Sequence, residues 1–265
     1  MSDFLDEMAR SSRQRASTLR ARSAALHREA ARAETPFPLA LDAFGVIAEI
    51  KPRAPSAGVL AAADVASCVA RAEAYAHGGA ACVSVLTEPT RFDGSNELLA
   101  TIADALRPHR VGAMRKDFLV DPLQVVEARA LGASGVLLIT RMLDDARLGE
   151  MLDAARSLGL FALIEAFDES DLARSMRVIG GRREGVFLGV NCRDLATLAI
   201  DRARLTQLAL PRDIDVVAES GIEVPEHVRE IVQAGYRGAL IGTTLMRASD
   251  PSAAVRAITE AASCT

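Results

Sequence analysis

Eight short apolar runs, each bounded by Gly, Asp or Pro and separated by longer amphipathic stretches, constrain this chain more than any other feature. They are VIAEI (46–50), ACVSVL (81–86), VGAMR (111–115), GVLLI (135–139), LFALIE (160–165), VFLGV (186–190), DVVAE (215–219) and GALIG (238–242). Runs this short and this uniformly apolar are expected of strands buried on both faces of a parallel sheet. Helical patterns fill the intervals, for example 63–77, 122–131, 144–158 and 225–234. Several open on Asp or Pro, and Gly78, Gly132, Gly159 and Gly235 follow them as predicted C-terminal caps. Eight strand–helix units in about 220 residues match a (β/α)8 barrel, whereas open doubly wound sheets more often carry five or six strands. The fold class is therefore α/β, a single (β/α)8 TIM barrel.

Two regions follow from this pattern. Residues 1–43 form an N-terminal helical extension, and 44–265 form the barrel as the catalytic domain. Within the extension, 2–33 reads as one helix with a thin apolar stripe (Phe4, Leu5, Met8, Leu19, Leu26), docked or partly mobile, ended by the prolines of TPFPLAL at 35–41.

Composition removes several classes. The net charge is −4 and there is no basic cluster, so no nucleic-acid footprint is expected. No apolar run approaches the ~20 residues that span a bilayer, and the first residues lack the order of a secretory signal. Cys68, Cys82, Cys192 and Cys264 are scattered without metal or disulfide spacing. A cytoplasmic enzyme without metal is expected, a monomer or at most a weak homodimer. One detail is sharper. Lys51 and Lys116 are the only lysines, and the other 29 of the 31 cationic side chains are arginine. Arginine stays protonated at any accessible pH, whereas lysine can give up its proton, so the two lysines become candidates for proton transfer.

The active site of such a barrel lies at the C-terminal ends of the strands. With period-two alternation, Ile47, Glu49 and Lys51 share one face. So do Phe161, Leu163 and Glu165, then Phe187, Gly189, Asn191 and Arg193, then Val217 and Glu219. Lys116 follows the third strand directly. In each case the apolar residues come first and the polar one sits at the C-terminal end. The convergent set is Glu49, Glu165 and Glu219 against Lys51, Lys116 and Arg193, with Asn191. Crowding of this kind shifts pKa values and suits general acid–base work; a buried ion network closing the barrel top is the bland alternative. His27, His77, His109 and His227 fall away from strand ends and read as surface residues, and Cys192 reads as a small packing residue. Ser220-Gly221-Ile222 and Gly242-Thr243-Thr244 follow the seventh and eighth strands, the places where this fold commonly binds phosphate through backbone N–H groups.

In order along the chain, VIAEIK…PSAG (46–58), SVLTE (84–88), RFDGS (91–95), RKDFL (115–119), LIEAF (163–167), GVNCRDLATL (189–198), AESGI (218–222) and GALIGTTLM (238–246) resemble the indole-3-glycerol phosphate synthase family. The resemblance implies ring closure, decarboxylation and dehydration of 1-(2-carboxyphenylamino)-1-deoxyribulose 5-phosphate, without metal or organic cofactor. It implies that Lys116 is the general acid for ring closure and Glu165 the general base. Lys51 would hold the substrate and supply a proton for dehydration, with Glu49 orienting it; which lysine serves which step stays open. Asn191, Arg193, Glu219, Ser220, Ser56 and Phe118 fall on substrate-binding positions. Gly221, Gly242, Thr243 and Lys51 fall on the phosphate cradle.

The chain departs from the family pattern E-I-K-R-x-S-P-S-x-G at Pro52 and Ala54, and Asp93 is expected to stand beside an anionic substrate. These changes leave room for a specialised paralogue that takes a substituted anthranilate. Phosphoribosylanthranilate isomerase would need a Cys/Asp pair at strand ends, which is not evident. An idle scaffold would have let the charged set decay, yet the set is complete.

Overall fold

The computed structural model of the chain describes residues 3–51, 53–54, 58–59, 64–194 and 197–263. Eight strands close a parallel barrel: β1 (Gly45–Ile50), β2 (Cys82–Leu86), β3 (Gly112–Lys116), β4 (Gly135–Ile139), β5 (Phe161–Ala166), β6 (Val186–Asn191), β7 (Val216–Glu219) and β8 (Gly238–Ile241). Each pairs with its chain neighbours, and β1 closes the ring against β8, with Gly45 opposite Gly238 and Ile47 opposite Leu240. A two-residue antiparallel pairing, Arg53–Ala54 with Gly58–Val59, follows β1 outside the barrel. Lys116 is the last residue of β3 rather than the first after it.

Two helices, α1 (Asp3–Leu19) and α2 (Ser23–Arg32), precede the barrel. Around it run α3 (Val65–His77), α4 (Asn96–Leu106), α5 (Pro122–Ala130), α6 (Asp145–Ser157), α7 (Glu169–Ile179), α8 (Ala203–Gln207), α9 (Pro225–Gln233), α10 (Thr243–Arg247) and α11 (Pro251–Ser263). Local chemistry starts most of the long ones. The side chains of Asp64, Ser95, Asp144 and Asp168 accept a backbone N–H at the first turn of α3, α4, α6 and α7. Asp121 and Gln124 form a reciprocal capping box on α5, with Pro122 as its first residue. Three of the four predicted caps take the left-handed conformation, Gly132, Gly159 and Gly235 (φ +82°, +69° and +99°). At the fourth, Gly78 stays right-handed at φ −75° and Gly79 makes the turn at φ +90°. The end of α3 needs the close approach at Gly78 instead, because a Cβ there would lie 2.7 Å from the Ser252 carbonyl of the α11 turn.

The barrel interior is layered. At the floor Phe161 and Phe187 meet edge to face, 6.1 Å between centroids. Gly135 makes room for them, since its Cβ would sit 2.3 Å from the Phe161 ring. Leu137, Leu163 and Ile47 fill the middle, all buried, and the charged residues occupy the top. Below the floor the 35–44 segment crosses the barrel, burying Leu39 and Leu41, and Arg237 holds it by donating to the carbonyls of Leu41 and Asp42.

The single helix expected over 2–33 is two helices, divided by a 3₁₀ turn at Arg20–Arg22. Their packing gives the reason. Leu5, Met8 and Ala9 of α1 join the main core at the barrel top, while Leu26 and Ala30 of α2 pack with Val126 of α5 on the barrel side. The chain must turn between these two surfaces. Polar contacts dock α1, where Arg15 makes a bidentate pair with buried Asp117 (2.7 and 2.8 Å) and Gln124 donates to Ser12 at 3.0 Å, while α2 docks through its buried Leu26 and Ala30.

Candidate active site

Period-two alternation delivers the expected charges to one place. Glu49, Lys51, Lys116, Glu165, Asn191, Arg193 and Glu219 all line a cavity of about 330 Å³ at the C-terminal mouth of the barrel. Phe118, Ser220, Gly221, Gly242 and Thr243 line it too. Ser56, Pro52 and Cys264 lie outside the described residues.

At the centre Glu49 is a shared anion. Lys51 donates to its Oε2, and Lys116 Nζ stands 3.9 Å from its Oε1. Burial alone would push the Glu49 carboxyl up, but the two lysine charges, the Lys51 hydrogen bond and Arg193 together hold it below its ordinary value. Glu49 is therefore ionised. Burial works against the Lys116 ammonium too, and here Glu165, Glu49 and Glu219 outweigh it, so the Lys116 pKa rises and the group stays protonated at neutral pH. Glu219 goes the other way. It is buried beside Glu165 and Glu49, and desolvation with like charge raises its pKa well above the ordinary carboxylate value. The pKa values of two nearby carboxylates are thus pushed in opposite directions, the kind of separation that acid–base chemistry uses. Glu165 accepts from Asn191 Nδ2 at 2.7 Å through Oε1, while its buried Oε2 has no hydrogen-bond partner among the described residues. Both oxygens of Glu219 are likewise buried without a hydrogen-bond partner among the described residues.

Two glycines make this crowding possible. A Cβ at Gly189 would fall 2.0 Å from Glu219 Oε1. A Cβ at Gly242 would fall 2.0 Å from Glu49 Oε2 and 2.9 Å from Lys51 Nζ. Gly242 was expected only as part of an anion cradle; its missing side chain also admits the Glu49–Lys51 pair. Gly242 precedes α10, and beside it the loop after β7 carries two consecutive left-handed residues, Ser220 (φ +70°) and Gly221 (φ +72°).

The opposite rim is aromatic. The Phe118 ring meets Phe4 at 5.7 Å edge to face and Phe92 at 6.0 Å, and all three line the cavity. Behind them Asp117 anchors the rim. It is fully buried, accepting from Arg15, Arg115, Thr87 and the Phe118 N–H. Burial opposes its charge, yet the Arg15 hydrogen bonds and the two guanidinium charges hold its pKa down at about 2.

Several residues at the mouth escape a strand-end reading. Phe4 arrives from α1, and Phe92 and Asp117 stand inside the quoted motifs RFDGS and RKDFL without an assigned part. Arg247, at the end of α10, is an exposed cavity-lining cation with no partner among the described residues. Of the four histidines, His27 and His77 are exposed and His109 stacks edge-on against His77. His227 was expected at the surface, but it is half-buried and its Nδ1 lies 3.1 Å from the Gly221 carbonyl oxygen, because the start of α9 folds back on the β7 loop. Cys192 is buried against Gly221 as a packing residue. Asp93 does not line the cavity; at φ +52° it turns to Arg53, 3.6 Å away, with both side chains about half exposed.

A closed parallel barrel with three buried carboxylates around an ammonium at its strand-end mouth has the architecture of a (β/α)8-barrel enzyme. Solved structures of that fold agree with it in architecture. A 3-hexulose-6-phosphate synthase from Salmonella typhimurium superposes with a TM-score of 0.63 at 14% identity, covering 83% of this chain and 99% of that one. An orotidine 5'-phosphate decarboxylase from Pyrococcus horikoshii gives 0.56 at 14% identity, covering 82% and 99%. Sequence goes further. The profile of the indole-3-glycerol phosphate synthase family matches residues 5–258, and the chain belongs to that family. It is 45% identical over 216 residues to indole-3-glycerol phosphate synthase of a Nocardioides species, covering 81% of this chain and 79% of that one. Against the Mycobacterium leprae enzyme of the same name it is 41% identical over 235 residues, covering 86% and 83%. Among the described residues no helix is long and apolar enough to cross a membrane.

Proposed function

We propose that this mouth carries out the family's ring closure, converting 1-(2-carboxyphenylamino)-1-deoxyribulose 5-phosphate to indole-3-glycerol phosphate, CO2 and water. The observation that carries this reading is the Lys116 ammonium, held protonated by three carboxylates between an aromatic rim and a glycine rim. The anilino ring packs against Phe118, Phe92 and Phe4. The phosphate lies at the other end, on the loops of Gly221, Gly242 and Thr243, with the Lys51 charge beside it. Asn191, Arg193, Glu219 and Ser220 span the middle.

In the first step the ring carbon bearing the carboxylate attacks the ribulose carbonyl carbon, and Lys116 delivers a proton to the carbonyl oxygen as it becomes a hydroxyl. The C–CO2 bond then breaks, its electron pair returning aromaticity to the ring. In the last step the hydroxyl leaves as water with a proton from Lys51, while Glu165 Oε2 takes a proton from the adjacent methylene carbon. Glu49 keeps Lys51 oriented and charged. General acid–base steps of this kind contribute roughly 10²–10⁴-fold each. The substrate of this reading is a small phosphorylated molecule.

The test is direct. Purified protein mixed with the carboxyphenylamino substrate is expected to develop indole absorbance and fluorescence, with one CO2 released per indole. Substrate persisting unchanged beside correctly folded protein would refute the reading.

A further inference from the structure

A loop that receives an anion through its N–H groups must also turn its carbonyl oxygens away, since each is a partial negative charge that needs a partner elsewhere. The loop after β7 meets that demand with two side chains. Thr244 Oγ1 donates to the Ile222 carbonyl at 2.9 Å. His227 Nδ1 lies 3.1 Å from the Gly221 carbonyl and 3.2 Å from the Glu223 N–H. His227 is the third residue of α9, whose N-cap residue, Val224, offers no side-chain hydrogen bond. The imidazole ties the start of the helix to the loop before it.

One nitrogen cannot serve both neighbours. As an acceptor Nδ1 takes the Glu223 N–H; carrying a proton, it donates to the Gly221 carbonyl. The two arrangements differ in consequence. Gly221 and Ile222 line the cavity and His227 does not. In a trans peptide the C=O and the following N–H point in opposite directions. Holding the Gly221 carbonyl on the α9 side therefore turns the Ile222 N–H toward the cavity.

We propose that His227 is a positioning residue for the phosphate end of the substrate, its Nδ1–H holding the Gly221 carbonyl when a phosphate dianion occupies the mouth. This rests on the phosphate placement given under Proposed function. The dianion selects the arrangement in which Nδ1 carries the proton, because that one presents an N–H to it.

Two readouts test this on the full-length protein. In the first, His227→Ala and His227→Gln should raise KM roughly 3–10-fold, the loss of one positioning hydrogen bond, with kcat within twofold. His227→Asn, whose amide nitrogen sits where Nδ1 does, should restore KM. In the second, ¹⁵N-resolved NMR of the imidazole, assigned by loss of its signal in His227→Asn, should show Nδ1 gaining a proton on titration with inorganic phosphate. Wild-type KM in the Ala and Gln variants, kcat and KM failing together, or an Asn variant no better than Ala would overturn the proposal. So would an Nδ1 that stays unprotonated at saturating phosphate. Wild-type protein that does not turn over the substrate at all would instead break the reading beneath it, which separates the two failures.

Discussion

The aromatic rim and the glycine rim of the mouth are held in place by different means. Phe118, Phe92 and Phe4 come from three separate stretches of chain, and a buried ion network links two of them: Arg15 on α1 reaches across 102 residues to Asp117, which in turn accepts the Phe118 N–H. The glycine rim needs no such reach. It depends on local backbone, with Ser220 and Gly221 both left-handed and no Cβ at Gly242, and on short tethers from His227 and Thr244. One rim is therefore sensitive to tertiary docking and to charge, the other to the addition of single atoms. The charged side chains Glu49, Lys116, Glu165 and Glu219 line the cavity with them, on β1, β3, β5 and β7.

Perturbing the centre should cost most and report on neither rim. Lys116→Ala removes a positioned proton donor, and kcat should fall by about 10²–10⁴. Substrate should still bind, as judged by calorimetry with the inactive variant. Next in size is Gly242→Asp. Its Cβ displaces Glu49 and Lys51 and its carboxylate faces the phosphate, so KM should rise by orders of magnitude and kcat should fall with it. A variant in which KM rises alone would mean that the Glu49–Lys51 pair moves aside without chemical cost, and that the glycine rim is an anion cradle and nothing more.

The aromatic rim breaks differently. Arg15→Ala leaves buried Asp117 with Arg115 as its remaining guanidinium, and should cost about 1–3 kcal/mol, a loss of several degrees in Tm. KM for the full substrate should rise through Phe4, while affinity for inorganic phosphate alone should not change. The pH dependence has a definite sign. Asp117 is held at about 2, against an ordinary value of 3.8, so its pairing stabilises the fold fully above pH 4 and the contribution fades as pH falls from 4 toward 2. The Tm difference between wild type and Arg15→Ala should shrink across that window. A difference that persists unchanged at pH 2 would remove Asp117 from the docking of α1.

Much of the mouth is legible in the sequence. Strand alternation and the C-terminal end rule place Glu49, Lys116, Glu165, Asn191 and Glu219 correctly, because both are local properties of a β-strand in a barrel. The scarcity of lysine singles out Lys51 and Lys116 for a reason independent of the fold. What stayed hidden is what arrives from a distance or depends on a missing atom. Phe4 belongs to a helix whose sequence says only that one face is apolar. The ring it meets, Phe118, lies 114 residues away along the chain. His227 was misread because helix membership says nothing of a helix start folding back on the preceding loop. The second role of Gly242 is invisible until Glu49 Oε2 is placed 2.0 Å from its absent Cβ. The break of the N-terminal helix at Arg20–Arg22 has no Gly or Pro to announce it, since the change of direction is imposed by two docking surfaces.

In the proposed mechanism Lys116 acts by giving up a proton and not merely by carrying a charge. Lys116→Arg keeps the charge between the same three carboxylates but removes a proton that can be donated at working pH. The decisive measurement is single-turnover indole formation by that variant, alongside its affinity for substrate. Near wild-type affinity is expected, with a rate about 10²–10⁴ below wild type, close to that of Lys116→Ala. A rate within tenfold of wild type would contradict it and leave Lys116 an electrostatic anchor.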